Sequence, residues 1–324
     1  MNHSRIVAIL LTAAMWAAVS SCATGVPCPQ YLPGQQVGTV ALANVNEASG
    51  MAMSRKNADV LWVHNDSGDS ARVFAMNSGG THLGIYNIVG AGAVDWEDMA
   101  IGPGPVGGEN YLYLGDIGDN GASRSSVKVY RVPEPTVSSN QSPVNVNLGG
   151  AESITLLYPD GARDAETLMV DPLNGDIYVV SKREAKSRVY RAAYPQSTTE
   201  TITMEFLGEM TWGWATGGEI SPTGREIIIR GNSSAFIWSR PPGSSVGEVL
   251  AADGCAVPLV WEPQGEAICF DGDGVDYFTV SEGANQPIYR FERIPEPSTI
   301  LLIAPALISF AALLRKKSRS FVEP

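Results

Sequence analysis

Between residues 49 and 291 the apolar positions arrive in short pulses separated by turn-forming residues. In Asp164–Arg191 the pulses Leu168–Val170, Ile177–Val180 and Val189–Tyr190 are divided by Asp-Pro-Leu-Asn-Gly-Asp and by Lys-Arg-Glu-Ala-Lys. Short β-rich runs broken by such residues predict consecutive antiparallel strands. No long run carries apolar residues at helical spacing, so an all-β body is expected.

The pattern recurs along the chain, restarting at Ser49, Glu97, Glu166, Glu219 and Glu266 at intervals of 48, 69, 53 and 47 residues. The second pulses are Val60–Val63, Tyr111–Leu114, Ile177–Val180, Glu226–Ile229 and Tyr277–Val280. The third are Arg72–Phe74, Val127–Arg131, Arg188–Arg191, Ala235–Trp238 and Ile288–Phe291. Repeats near 40–50 residues suit four-stranded propeller blades. Fourth strands are expected at Gly84–Val89, Ser153–Tyr158, Met204–Glu209 and Pro258–Trp261, with Val37–Val45 completing the last unit and closing the ring. The long second interval implies an insertion around Pro133–Gly150. The reading is one five-bladed β-propeller over residues 24–293, with six blades as the alternative if the insertion forms its own.

The two ends read differently. Met1–Ala23 carries Arg5, an apolar stretch (Ile6–Val19) and Ser20-Ser21-Cys22-Ala23. This pattern predicts a signal peptide cleaved after Ala23 by signal peptidase. Val19–Cys22 also resembles a lipobox, which would instead make a lipoprotein through Cys22. At the other end, Pro295-Glu296-Pro297 precedes the apolar run Ile300–Leu314 and then Arg315-Lys316-Lys317-Ser318-Arg319. Residues 294–319 resemble the PEP-CTERM sorting signal of Gram-negative bacteria, ahead of a 320–324 tail. Val132-Pro133-Glu134-Pro135 repeats the tripeptide, but no apolar run follows it. The 300–314 run is shorter than the ~20 residues of a comfortable transmembrane helix, and the basic residues after it would stay cytoplasmic. The resemblance implies transient anchoring in the inner membrane, processing by an exosortase, and delivery to the cell surface or outside the cell. An extracellular polysaccharide or a protein is the expected ligand class.

Composition narrows the chemistry. The chain has a net charge of −12, and residues 24–297 carry 17 Lys/Arg against 33 Asp/Glu, a net −16. Such a body repels phosphates, so no nucleic-acid partner is expected. With three histidines in all, a histidine-rich metal site is excluded. Four cysteines suit an exported chain. Cys255 and Cys269 are the candidate disulfide, and connectivity stays open.

Propeller geometry places the starts of first strands and the ends of second strands on one face. Glu97, Glu166, Glu219 and Glu266 would stand there, with Asp95 and Asp164 two residues before two of them. Second strands would deliver His64, Asp66, Asp116, Asp119, Lys182, Arg183, Arg230 and Glu282 to the same mouth. Three readings follow. The carboxylates could hold calcium through oxygen ligands. They could run metal-assisted hydrolysis with Lys182, Arg183 and Arg230 as phosphate contacts. They could simply tie strand starts to neighbouring blades. Asp164-Ala165-Glu166-Thr167-Leu168, Gly265-Glu266-Ala267-Ile268 and Ser281-Glu282-Gly283 resemble blade motifs of secreted phytase-like propellers. That resemblance implies Glu166, Glu266 and Glu282 as calcium or phosphate contacts. Trp96, Trp212 and Trp214 read as packing between blades, with stacking on sugars at a propeller mouth as the alternative. No Gly-x-Ser-x-Gly elbow and no helix-opening glycine loop is present. The function expected is a binding or scaffold module, with a metal-dependent phosphoester hydrolase as the alternative.

Overall fold

A computed structural model describes residues 27–296. The signal segment, Cys22, Pro297 and the 300–314 run lie outside the described residues. Among those described, no helix is long and apolar enough to cross a membrane.

The described residues form five sheets in a ring, antiparallel except where Val144–Leu148 and Ile202–Thr203 add a parallel edge strand to two of them. After β1 (Gln35–Thr39), the first blade is β2 (Ala48–Met53), β3 (Leu61–Asn65), β4 (Arg72–Met76) and β5 (His82–Ile88). The second begins with β6 (Trp96–Pro103), β7 (Asn110–Asp116) and β8 (Val127–Pro133). The insertion strand β9 (Val144–Leu148) comes next, then β10 (Glu152–Leu157), which completes the second blade. The third has β11 (Ala165–Val170), β12 (Ile177–Ser181) and β13 (Arg188–Ala192), the short β14 (Ile202–Thr203), which pairs with β10, and β15 (Glu205–Glu209). The fourth is β16 (Gly217–Ile220), β17 (Glu226–Arg230), β18 (Ala235–Ser239), a helix α1 (Val246–Leu250) and β19 (Cys255–Val257). The last has β20 (Gly265–Phe270), β21 (Tyr277–Ser281) and β22 (Pro287–Phe291).

Strand β1 pairs antiparallel with β22, so the two ends of the chain complete one blade and close the ring. Closure seats the first blade against the fifth, and the facing surfaces of the two fill one apolar seam. The insertion does not make a sixth blade. Its strand β9 lies parallel to β5 and widens the first blade to five strands. The internal Pro-Glu-Pro secures this crossing, because Glu134 is buried and accepts hydrogen bonds from Ser54 Oγ and Trp62 Nε1.

The hairpin between the two innermost strands uses one recipe in three blades. Asp171 N donates to Asp176 O, Ser221 N to Glu226 O and Asp271 N to Asp276 O, with Gly175, Gly224 and Gly274 at positive φ. Only glycine enters that backbone region without steric penalty. Five apolar clusters each fill the seam between two neighbouring blades. In β17, Ile227 and Ile229 face the third blade while Ile228 faces the fifth. Strands buried on both sides must be continuously apolar, so the pulses show no alternation.

Two expectations need correction. The fourth strand of the fourth blade is Cys255–Val257 rather than Pro258–Trp261. Pro258 cannot donate to a ladder, and Trp261 stands exposed. Cys255 pairs with Cys28, and Cys269 is a free, buried thiol. Cys269 faces the first blade, whereas Cys255 lies in the seam between the fourth and fifth, so the two cannot meet.

Candidate functional site

The inner strands carry the feature that builds the mouth. In β2, β6, β11 and β20 the ladder to the second strand skips one residue. The skipped residues are Ser49, Glu97, Glu166 and Glu266. A bulge of this kind leaves an extra residue unpaired and re-aims its side chain. The result is three glutamates and one serine at the top of the central channel.

The fourth blade departs. Strand β16 has no bulge, and Glu219 pairs with Ile228, level with Met99, Leu168 and Ile268 of the other blades. Its carboxylate accepts from Phe270 N at 2.6 Å and pairs with Arg55. Glu219 therefore does not join the mouth glutamates. Burial outweighs the Arg55 charge and pushes its pKa up to about 7.

Loop residues complete an acidic arc. Asp66, Glu266 and Glu282 form one group of oxygen ligands within 4.8 Å of one another. Asp66, Asp95 and Glu97 form a second, and Glu97, Asp164 and Glu166 a third. Asp66 and Glu97 each belong to two groups, so the seven carboxylates are continuous. No histidine or cysteine takes part. Lys182 enters the arc by pairing with Glu166, and its Nζ stands 3.8 Å from Glu266.

The electrostatics follow from burial and like charge. Glu97 is 2% exposed. Burial, then the Glu166, Asp66, Asp95 and Glu266 charges, push its pKa up to about 12. Its carboxylate accepts no hydrogen bond from any described residue. Gly118 passes so close that a Cβ there would collide with Glu97 and Asp95. Burial and Glu266 push Glu166 to about 8 against the pull of Lys182, and the same two causes push Glu282 to about 8. Burial lifts Asp66 to about 6 and raises Asp95, helped there by Asp164. Burial works against the Lys182 ammonium, but Glu166, Glu266 and Glu97 outweigh it and raise its pKa.

Other sequence-selected residues stand elsewhere. Asp116 pairs with Arg124 at 2.9 Å and accepts from Asp95 N, while Asp119 accepts from Arg124 N and Ser123. Both build the 116–124 loop that carries Gly118. Arg183 pairs with Asp164 at the rim. His64 is fully buried, with Nδ1 donating to Asn65 O at 2.8 Å and its ring against Trp96. Burial lowers its pKa, so it is a neutral packing group. Arg230 is also fully buried, paired with Glu262 at 2.8 Å and donating to Ala267 O. Gly265 leaves the room for that pair. Neither His64 nor Arg230 reaches the mouth. Trp96 and Trp212 pack as expected, the latter against Phe236, but Trp214 is 55% exposed.

One central residue carried no periodic signal. Asp98 lies just past the second blade's bulge and is 1% exposed. Its Oδ2 accepts from Leu168 N at 2.9 Å and Gly218 N at 3.2 Å, and its Oδ1 from Met99 N. One side chain thus joins the second, third and fourth blades beneath the mouth. The only available hint was its place beside Glu97, and no other unit has an acid there.

An all-oxygen, multi-carboxylate set suits a hard cation such as calcium rather than a metal preferring nitrogen or sulfur. No protein-family model matches the chain, and no curated protein does. Solved structures similar to it include the following two. Hydrazine synthase from Kuenenia stuttgartiensis aligns with a TM-score of 0.38 at 11% identity, covering 76% of this chain and 95% of that one. An auxiliary nutrient binding protein from Bacteroides thetaiotaomicron VPI-5482 aligns with a TM-score of 0.41 at 11% identity, covering 83% and 78% respectively.

Proposed function

We propose that this chain is an exported binding module whose propeller mouth holds a divalent cation, calcium before magnesium. The observation that carries the reading is Glu97, a buried carboxylate surrounded by four others and held in no ion pair of its own. Four like charges around one carboxylate are unfavourable in a low-dielectric site. A divalent ion bound by oxygens would reverse that term. Calcium tolerates irregular sets of six to eight oxygens, whereas magnesium demands a near-octahedral shell. The arc is irregular and draws on strands and loops of four blades, which favours calcium. Export and exosortase processing belong to the same proposal, on the strength of the terminal motifs.

A binding role is favoured over phosphoester hydrolysis by what the cations are doing. Arg230 is buried against Glu262, Arg183 is held by Asp164, and Lys182 is held by Glu166. Each of the three cations that the sequence offered for a phosphate is thus already engaged by a carboxylate.

Calorimetric titration of residues 24–296 with calcium, beside thermal unfolding in calcium and in EDTA, tests the reading. At 100 times Kd a ligand adds about 2.7 kcal/mol, which raises Tm by roughly 5–10 °C in a domain of this size. Identical melting in calcium and EDTA, with no titration heat, would sink it.

A further inference from the structure

We infer that the cleft beside Trp214, on the same face as the mouth, binds a saccharide. The cleft measures about 370 Å3 and is lined by Gly213, Trp214, Gly231, Asn232, Ser233 and Ser234. This volume falls within the ordinary range of small-ligand pockets, about 300–1,000 Å3. It lies between the loop entering β16 and the turn leaving β17.

Trp214 has φ +68°. A bulky side chain in that region is a genuine outlier, and its strain calls for an explanation. The backbone geometry does not supply one. Trp214 N donates to Lys182 O at 2.9 Å, and Gly231 packs closely under Trp214 O. Any residue could make that bond, and glycine would hold the same conformation unstrained. Nor does packing supply it, because the indole is 55% exposed. What an indole adds at this position is a broad apolar face turned to solvent.

The opposite side of the cleft sets the ligand class. Asn232, Ser233 and Ser234 are exposed, and their side chains make no hydrogen bond with any described residue. They present donors and acceptors without charge, and the lining contains no acid or base. A pyranose matches both walls. Its C–H face carries partial positive charge that suits the negative face of an indole, and its ring hydroxyls pair with neutral amide and hydroxyl groups. An organic cation would want carboxylates, and a peptide side chain would want a deeper apolar lining.

The test uses the chain from residue 24 to 296 in EDTA, so that its outcome is independent of the mouth cation. Affinity electrophoresis is run in gels cast with dextran, laminarin, galactomannan, xylan, chitosan or alginate. At least one polysaccharide should retard the protein, and Trp214→Ala should weaken that retardation at least tenfold. Trp214→Gly should lose binding equally while melting at or above the wild-type temperature, since glycine relieves the left-handed strain. A folding defect cannot imitate that pair of results. Absence of retardation by every polysaccharide, or wild-type retardation of both variants, overturns the inference.

Discussion

Lys182 Nζ stands 3.8 Å from Glu266 Oε1 although the two residues belong to blades separated by the fourth. The ammonium crosses above the one inner strand without a bulge, where a fourth mouth glutamate would otherwise stand. It therefore substitutes for the missing blade position with the opposite charge, and it competes with any bound cation for Glu166 and Glu266. Replacing it with methionine leaves two buried carboxylates facing each other. Loss of one partner from a buried pair is destabilising by about 3–5 kcal/mol, so Lys182→Met should unfold at lower denaturant in EDTA. Calcium should rescue it by a larger Tm increment than in the wild type. An increment equal to or smaller than the wild-type one would show that Lys182 does not compete for the site.

The pH dependence of the cation-free protein has a definite sign. Asp66, Glu219, Glu166 and Glu282 have folded pKa values of about 6, 7, 8 and 8, all above their ordinary values. The native state then holds more protons than the unfolded chain between about pH 4 and 8. Stability falls wherever the native state binds more protons as pH rises. In EDTA the contribution is full below about pH 4 and is lost as pH climbs through 6 to 8. Urea midpoints at pH 5, 6, 7 and 8 should decline steadily in EDTA. In saturating calcium the decline should shrink, because the ion favours the ionised carboxylates. A flat EDTA profile would contradict the burial and crowding described for the arc.

Asp98 gives a prediction about the ring itself. Its carboxylate satisfies the buried amides of Leu168, Gly218 and Met99. Leaving a buried donor unsatisfied is unfavourable by about 1–3 kcal/mol, so Asp98→Ala should destabilise the protein by at least about 3 kcal/mol. Asp98→Asn keeps one acceptor oxygen and should fall between alanine and the wild type. Chemical denaturation followed by circular dichroism measures both, and a loss below about 1 kcal/mol in Asp98→Ala would remove the residue's role as a joint.

How far the sequence could be read follows from these residues. The repeat of Glu97, Glu166 and Glu266 was visible because three bulges occur at one position in units of similar spacing. Glu219 looked equivalent in spacing, but spacing cannot reveal whether a strand carries a bulge. That difference of two residues along the strand moves its carboxylate from the mouth to Arg55. His64 and Arg230 lie at strand ends that point to the mouth, yet each turns into a seam, and side-chain direction is not written in a linear pattern. Asp98 was hidden for the opposite reason, since it acts once and repeats nowhere. Strand β9 was legible as an insertion, but not its destination, because its partner β5 lies more than fifty residues earlier.

The disulfide yields the last prediction. Cys28 and Cys255 are 227 residues apart in sequence, and the bond fixes the segment ahead of β1 to the outermost strand of the fourth blade. Tyr31 packs beside it, edge-on to Tyr277 at 4.8 Å, and bridges to Arg293. The N-terminal segment therefore covers the seam between the fourth and fifth blades. In the chain-entropy model, cross-linking a loop of this length stabilises by up to about 5 kcal/mol. Cys28→Ser and Cys255→Ser should each lower Tm by similar amounts, and dithiothreitol should lower the wild type to match them. Cys269→Ala should respond differently. It removes a buried sulfur from the seam between the first and fifth blades, so it should destabilise modestly under oxidising and reducing conditions alike. Loss of the dithiothreitol effect in Cys269→Ala, with its retention in Cys28→Ser, would assign the bond to Cys269 instead and refute the pairing.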